Sequence, residues 1–226
     1  MNPNMFEQFA SPDILLVPTS LISMVLPVML IHNKPTLLGN RLSAIMDQLL
    51  KMIMLNMLHQ LSPIGQKASR FLTALILLIL LSNLLGLLPY TFTTTSQLSM
   101  NMALAVPLWL ATVVTGIMLK PTTAAAHMLP EGSPTPLTPM MIMIETVSLF
   151  MRPLALGVRL TANITAGHLL MTMVSSAIMN LLNTYNSVCT LMLILMLLLT
   201  LLEMAVACIQ AYVFMLLVTL YLQENT

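Results

Sequence analysis

The sequence predicts an all-α integral membrane protein: one upright transmembrane helix, an interfacial amphipathic helix, a transmembrane hairpin and two long tilted helices, in a single membrane domain spanning 1–226. Three observations carry that expectation. Only 7% of the 226 residues are charged and 58% are hydrophobic, whereas a soluble domain carries about 25% charged residues. With a mean hydropathy of +0.94, lipid rather than water must cover most of the outside. Apolar residues also gather into stretches about one bilayer long, or much longer. Finally, the ionisable residues inside those stretches are confined to the last two of them.

The first stretch, 14–31, has the length for one crossing, since ~20 helical residues cover ~30 Å of hydrocarbon. The segment before it, Met1 to Asp13, holds Glu7 and Asp13. It is not expected to be a signal peptide, which needs a basic start. Next comes a different pattern over 40–61. Leu42, Ile45, Met46, Leu49, Ile53, Met57 and Leu61 recur at helical spacing, with Arg41, Asp47, Gln48, Lys51, His59 and Gln60 mostly on the other side. That is an amphipathic helix lying in the interface, ended by Ser62-Pro63. Stretches 71–89 and 98–119 form the hairpin, joined by a short threonine-rich link from Tyr90 to Gln97. Residues 120–139 are proline-rich and polar and predict a loop.

The last two stretches, 140–179 and 188–222, would measure on the order of 60 Å and 50 Å as helices. Mismatch of that size requires tilt, a kink or a break, and Pro153 is a candidate bend. The two cysteines, Cys189 and Cys208, lie ~28 Å apart on the last stretch, beyond disulfide reach, and are expected to be buried thiols. The 23 methionines fill apolar positions as flexible packing.

Orientation follows from the basic residues. Lys34, Arg41, Lys51, Lys67 and Arg70 lie between the first and second crossings, and Lys120 begins the loop after the third. If crossings alternate, these share one side, while the links at 91–97 and 181–187 have no basic residue. The acidic N-terminus belongs to the side opposite the basic one, and the C-terminus to the basic side.

Four ionisable residues should not be where they are. Glu145, Arg152 and Arg159 lie in the fourth stretch and Glu203 in the fifth. A mid-membrane Arg costs ~3 kcal/mol on insertion scales and ~10 or more on an isolated helix in simulations, so such groups are functional candidates. A structural reading stands beside this: Glu145 and Arg152, seven residues apart, share a helix face and could neutralise each other. It does not cover Arg159, which has no acidic residue within a turn in sequence. At roughly 100° per residue, Glu145, Arg152, Arg159 and Asn163 fall within ~40° of one another, while His168 points ~180° from Arg159. Glu203 and Gln210 share a face of the last helix. Gly157, Ala162, Ala166 and Gly167 would let another helix come close. His168 could equally be a hydrogen-bonded core histidine.

Other chemistries find little support. A net charge of +1, without a basic run, gives no case for nucleic acid. No two histidines share a depth within membrane helices, against bis-His haem, and no Cys/His cluster indicates zinc. No cofactor and no metal are expected. The Asn163-Ile-Thr165 sequon falls inside an apolar stretch and is dismissed.

The run from Glu145 through Arg152-Pro153, Gly157, Arg159-Leu-Thr-Ala-Asn163 and Gly167-His168, followed by Glu203 and Gln210, resembles the signature of subunit a of the rotary F-type ATP synthase. The likeness covers the whole chain, and the methionine-rich, charge-poor composition is similar to mitochondrially encoded animal versions. Similar bacterial chains tend to carry a carboxylate at the place of His168 and a histidine at that of Glu203, which points to a working pair. The resemblance implies a non-catalytic, proton-translocating subunit of the mitochondrial inner membrane, with its N-terminus in the intermembrane space and its C-terminus in the matrix. Its implied partners are protons, lipid, a ring of c subunits and other membrane and peripheral-stalk subunits. Protons would pass through two offset half-channels. Arg159 would separate them and hold each arriving ring carboxylate ionised. His168 and Glu203 would relay on the intermembrane-space side and Glu145 on the matrix side, with Asn163 and Gln210 as polar neighbours of Arg159. Two further readings are a self-contained ion transporter, which would favour inverted repeats that the sequence lacks, and a quinone-binding subunit of a respiratory complex.

Overall fold

A computed structural model describes residues 7–14, 17–31, 41–60, 65–88, 91–119, 121, 137–181 and 186–225. Six α-helices dominate them: α1 Thr19–Ile31, α2 Arg41–Gln60, α3 Ser69–Gly86, α4 Leu98–Leu119, α5 Thr138–Leu181 and α6 Asn186–Asn225. Short 3-10 turns lie at Glu7–Phe9, Gly65–Ala68 and Thr94–Ser96. The all-α membrane class is as the composition predicts. Among the described residues, α3, α4, α5 and α6 are long and apolar enough to cross a membrane. The expected stop at Ser62-Pro63, the central part of the loop (122–136) and the middle of the last link (182–185) lie outside the described residues.

Two expectations meet a different structure. The first apolar stretch is not helical from Ile14. Asp13–Ile14 and Val17–Pro18 pair as a two-residue antiparallel ladder, and α1 begins only at Thr19. The cause is local: a residue before proline is pushed out of the α region, so Val17 is extended. The Thr19 amide donates to the Pro12 carbonyl at 3.2 Å. With 13 residues, α1 rises only ~20 Å. Cys208 is also exposed rather than buried, whereas Cys189 is buried; both are free thiols. In lipid an apolar side chain loses nothing by facing outward, so hydropathy does not assign a thiol to the inside.

Pro153 lies inside α5, which runs on through it for 44 residues, ~66 Å. Serine and threonine hydroxyls in these helices donate back to carbonyls one turn earlier: Ser82 to Ile79, Thr112 to Trp109, Thr165 to Thr161 and Thr219 to Leu216. That satisfies them where no water is available. The outward faces are apolar, with Leu191, Ile194 and Leu197 more than 60% exposed on α6. A patch of that kind belongs against lipid or another subunit.

The chain divides into two compact units. The first comprises Met1–His32, Leu77–Met100 and Arg159–Tyr212. In it α5 and α6 run antiparallel: Asn163 meets Gln210, and Gly167, four residues later, meets Glu203, seven residues earlier. The second comprises Asn33–Ile76, Asn101–Val158 and Val213–Thr226. There α4 and α5 pack antiparallel, with the rings of Trp109 and Phe150 5.9 Å apart and Gly157 against Met102. A Cβ on Gly157 would stand 2.6 Å from the Met102 sulfur, so glycine lets this flexible side chain lie close against α5.

Candidate functional site

The first unit gathers most of the residues singled out by the sequence. Gly167 sits on α5 opposite Glu203 on α6, and a Cβ at 167 would collide with the Glu203 carboxylate. Glycine here is what admits a carboxylate between the helices. One turn before Gly167 on α5, Asn163 Nδ2 donates to Gln210 Oε1 at 2.9 Å, and Gln210 is only 6% exposed. Polar side chains that hydrogen-bond across helices are tolerated inside an apolar phase, because the alternative is an unsatisfied group.

His168 and Glu203 line the same two cavities. The larger, of about 910 Å³, is walled by α1, by the end of α3, by residues 91–94, and by His168, Met171, Met196, Thr200 and Glu203. Its mostly apolar wall is broken by the hydroxyls of Thr19, Ser23, Ser82, Thr91, Thr93, Thr94 and Thr200. The smaller, of about 20 Å³, is lined by Asn83, Asn163, His168, Glu203 and Gln210 among others. That volume suits a single water, which needs on the order of 10–15 Å³ and two to four polar partners. His168 Nε2, Glu203 Oε1 and Asn83 Oδ1 are buried and have no hydrogen-bond partner among the described residues. All three residues line the smaller cavity, whose volume is that of one water.

Asn83 escaped the sequence reading. It is 2% exposed on α3, and its Nδ2 approaches the Ala207 carbonyl of α6 at 3.5 Å. The available signal was an amide inside an 18-residue apolar helix, a costly placement without partners. The hydroxyls around the larger cavity were missed as well, since threonine is ordinary at helix ends.

Arg159 is placed differently. It is exposed, as are Ala162 and Ala166, which follow it at helical spacing on the same outward side of α5. Among the described residues, both ion pairs belong to Arg152, and none reaches Arg159. A guanidinium thus stands on an outer helix face beside small side chains.

Glu145 and Arg152 belong to the second unit. Their side chains approach to 3.9 Å, the outer reach of an ion pair, so the contact that their spacing allows is made but loosely. Arg152 also binds Glu224 at 2.8 Å and lies over the Tyr221 ring. Neither partner was picked out in the sequence.

Comparison with known proteins points to a family. The profile described as ATP synthase A chain matches residues 14–223. The chain is 65% identical to a protein of Lycodon semicarinatus named ATP synthase F(0) complex subunit a, over the full length of both. It is 54% identical to the protein of that name from Struthio camelus and 51% identical to that from Salmo salar, again over the full length of both.

Proposed function

The chain belongs to the ATP synthase A chain family, the proton-translocating subunit of the F0 sector, and on that premise we propose that it forms two offset half-channels against a ring of c subunits. In this reading it couples proton flow to ring rotation and catalyses nothing itself. It sits in the mitochondrial inner membrane, with the N-terminus in the intermembrane space and the C-terminus in the matrix.

The observation that carries the proposal is the contrast within the first unit. His168 and Glu203 face inward on two shared cavities, while Arg159 faces outward without an acidic partner among the described residues. An inward histidine and carboxylate on a hydroxyl-studded cavity suit the half-channel from the intermembrane space. Asn83, Asn163 and Gln210 hold polar ground beside them. An outward guanidinium beside Ala162 and Ala166 suits a ring surface, because small side chains let another helix approach closely. Arg159 stays charged in any surroundings and so draws an incoming ring carboxylate into its ionised form. It also blocks a proton from crossing between the half-channels. Once protonated, a ring carboxyl can travel through lipid at far lower cost than its anion. It gives up its proton after nearly a full turn, to the half-channel that holds Glu145.

Each half-channel is a dead end without the ring. The chain reconstituted alone in liposomes under a pH gradient is therefore expected to pass no protons, and the same chain with ring subunits to pass them. Rapid flux through the chain alone would overturn the reading.

A further inference from the structure

In the second unit one cation is shared by two carboxylates, and they hold it unequally. Arg152 Nη1 donates to Glu224 Oε2 at 2.8 Å, whereas Nη2 stands 3.9 Å from Glu145 Oε1. Its guanidinium also lies 5.1 Å from the centroid of the Tyr221 ring. Glu145 is on α5, two helical turns before Arg152. Tyr221 and Glu224 are on the last turns of α6. All three charged side chains keep some exposure, 30% for Arg152, 38% for Glu145 and 47% for Glu224.

We propose that Arg152 is a positioning residue for Glu145, anchored from the end of α6 by Glu224 and Tyr221. The proposal rests on the reading of Glu145 as the carboxylate of the matrix-side half-channel. Arginine suits the task because its fork presents two amines: the Tyr221 ring beneath the guanidinium and the short bond from Nη1 to Glu224 hold the group, and Nη2 is left on the Glu145 side. The contact at 3.9 Å orients this carboxylate without a short bond to its oxygens, which stay open to a proton. The strong bond goes to Glu224 instead, so the anchor and the working group are separate side chains. The end of α6 thereby sets the place of a group on α5.

The test uses the assembled ATP synthase in vesicles, with ATP synthesis measured at a fixed driving force. Arg152→Gln is expected to slow synthesis on the order of threefold to tenfold, and Glu224→Gln to slow it in the same direction by less. Arg152→Lys keeps the charge but loses the fork, and should fall nearer to Arg152→Gln than to the unaltered enzyme. In the Glu145→Gln enzyme, Arg152→Gln should add nothing, because it acts through Glu145. If instead it slows that enzyme by the same factor as the unaltered one, Arg152 is a structural anchor only and the proposal is overturned. Unaltered synthesis in Glu145→Gln alone would remove the half-channel reading of Glu145, a failure distinct from that of Arg152. If Arg152→Gln does not assemble, Glu224→Gln with and without Glu145→Gln gives the same comparison.

Discussion

Gly167 and Glu203 compete for one volume: the space a Cβ would take on α5 is already filled by the carboxylate of α6. Alanine at 167 should raise intrinsic helix propensity slightly, yet it must push Glu203 aside. Because the colliding atoms end a flexible side chain, the protein is expected to fold and assemble. Displacing a relay group by about 1 Å can cost on the order of 100-fold in rate. We expect Gly167→Ala to assemble normally and to lose at least about tenfold in proton-driven ATP synthesis. A near-normal rate would show that the position of Glu203 is not critical.

Arg159→Ala should abolish proton-driven synthesis, by roughly 100-fold or more, without preventing assembly. Its guanidinium has no ion-pair partner among the described residues whose loss would unsettle the fold. Arg159→Lys should also be poor, since an ammonium placed against an apolar partner can give up its proton and a guanidinium does not. Rates measured on membranes with matched amounts of assembled complex decide this.

Accessibility should separate the two proposed half-channels. A Cys placed at 145 should react with a small soluble thiol reagent added from the matrix side. Cys at 168 should react from the opposite side, and Cys at 203 should follow 168, because His168 and Glu203 line the same cavities. The free thiols Cys189 and Cys208 must first be replaced. Labelling of 145 and 168 from one compartment only would overturn the assignment of two half-channels while leaving the helical fold intact.

The Asn163–Gln210 bond should show as stability. Asn163→Ala leaves the buried Gln210 amide oxygen without its donor, a loss of about 1 kcal/mol, between the ~0.6 typical of bonds between membrane helices and the 1–3 of a buried orphan. The assembled complex should inactivate at a lower temperature. Gln210→Ala should do the same, and the double variant should be no worse than the more damaging single one. Additive losses would mean that the two amides act independently.

How far the sequence determined the protein depends on whether an interaction lies along one helix or between two. Charge scarcity and stretch length fixed the membrane class, since both follow from the composition of the chain against the thickness of a bilayer. Helical periodicity put Arg159 and His168 on opposite sides of α5 and placed Arg152 within reach of Glu145. Those relations need only 3.6 residues per turn. The start of α1 was legible in principle from Val17-Pro18, but hydropathy hides it because an extended apolar segment scores as high as a helical one. The resemblance alone pointed to one relation between helices, His168 with Glu203; spacing and hydropathy made no contact between helices legible. Glu224 lies 72 residues from Arg152, Asn83 lies 124 from Ala207, and the two cavities draw their walls from segments far apart in sequence. Which faces meet, and at what register, is decided by side-chain shape where helices cross, as at Gly167 and Gly157. Hydropathy carries no such information, because lipid and a neighbouring helix are equally apolar. The same physics left Cys208 facing outward.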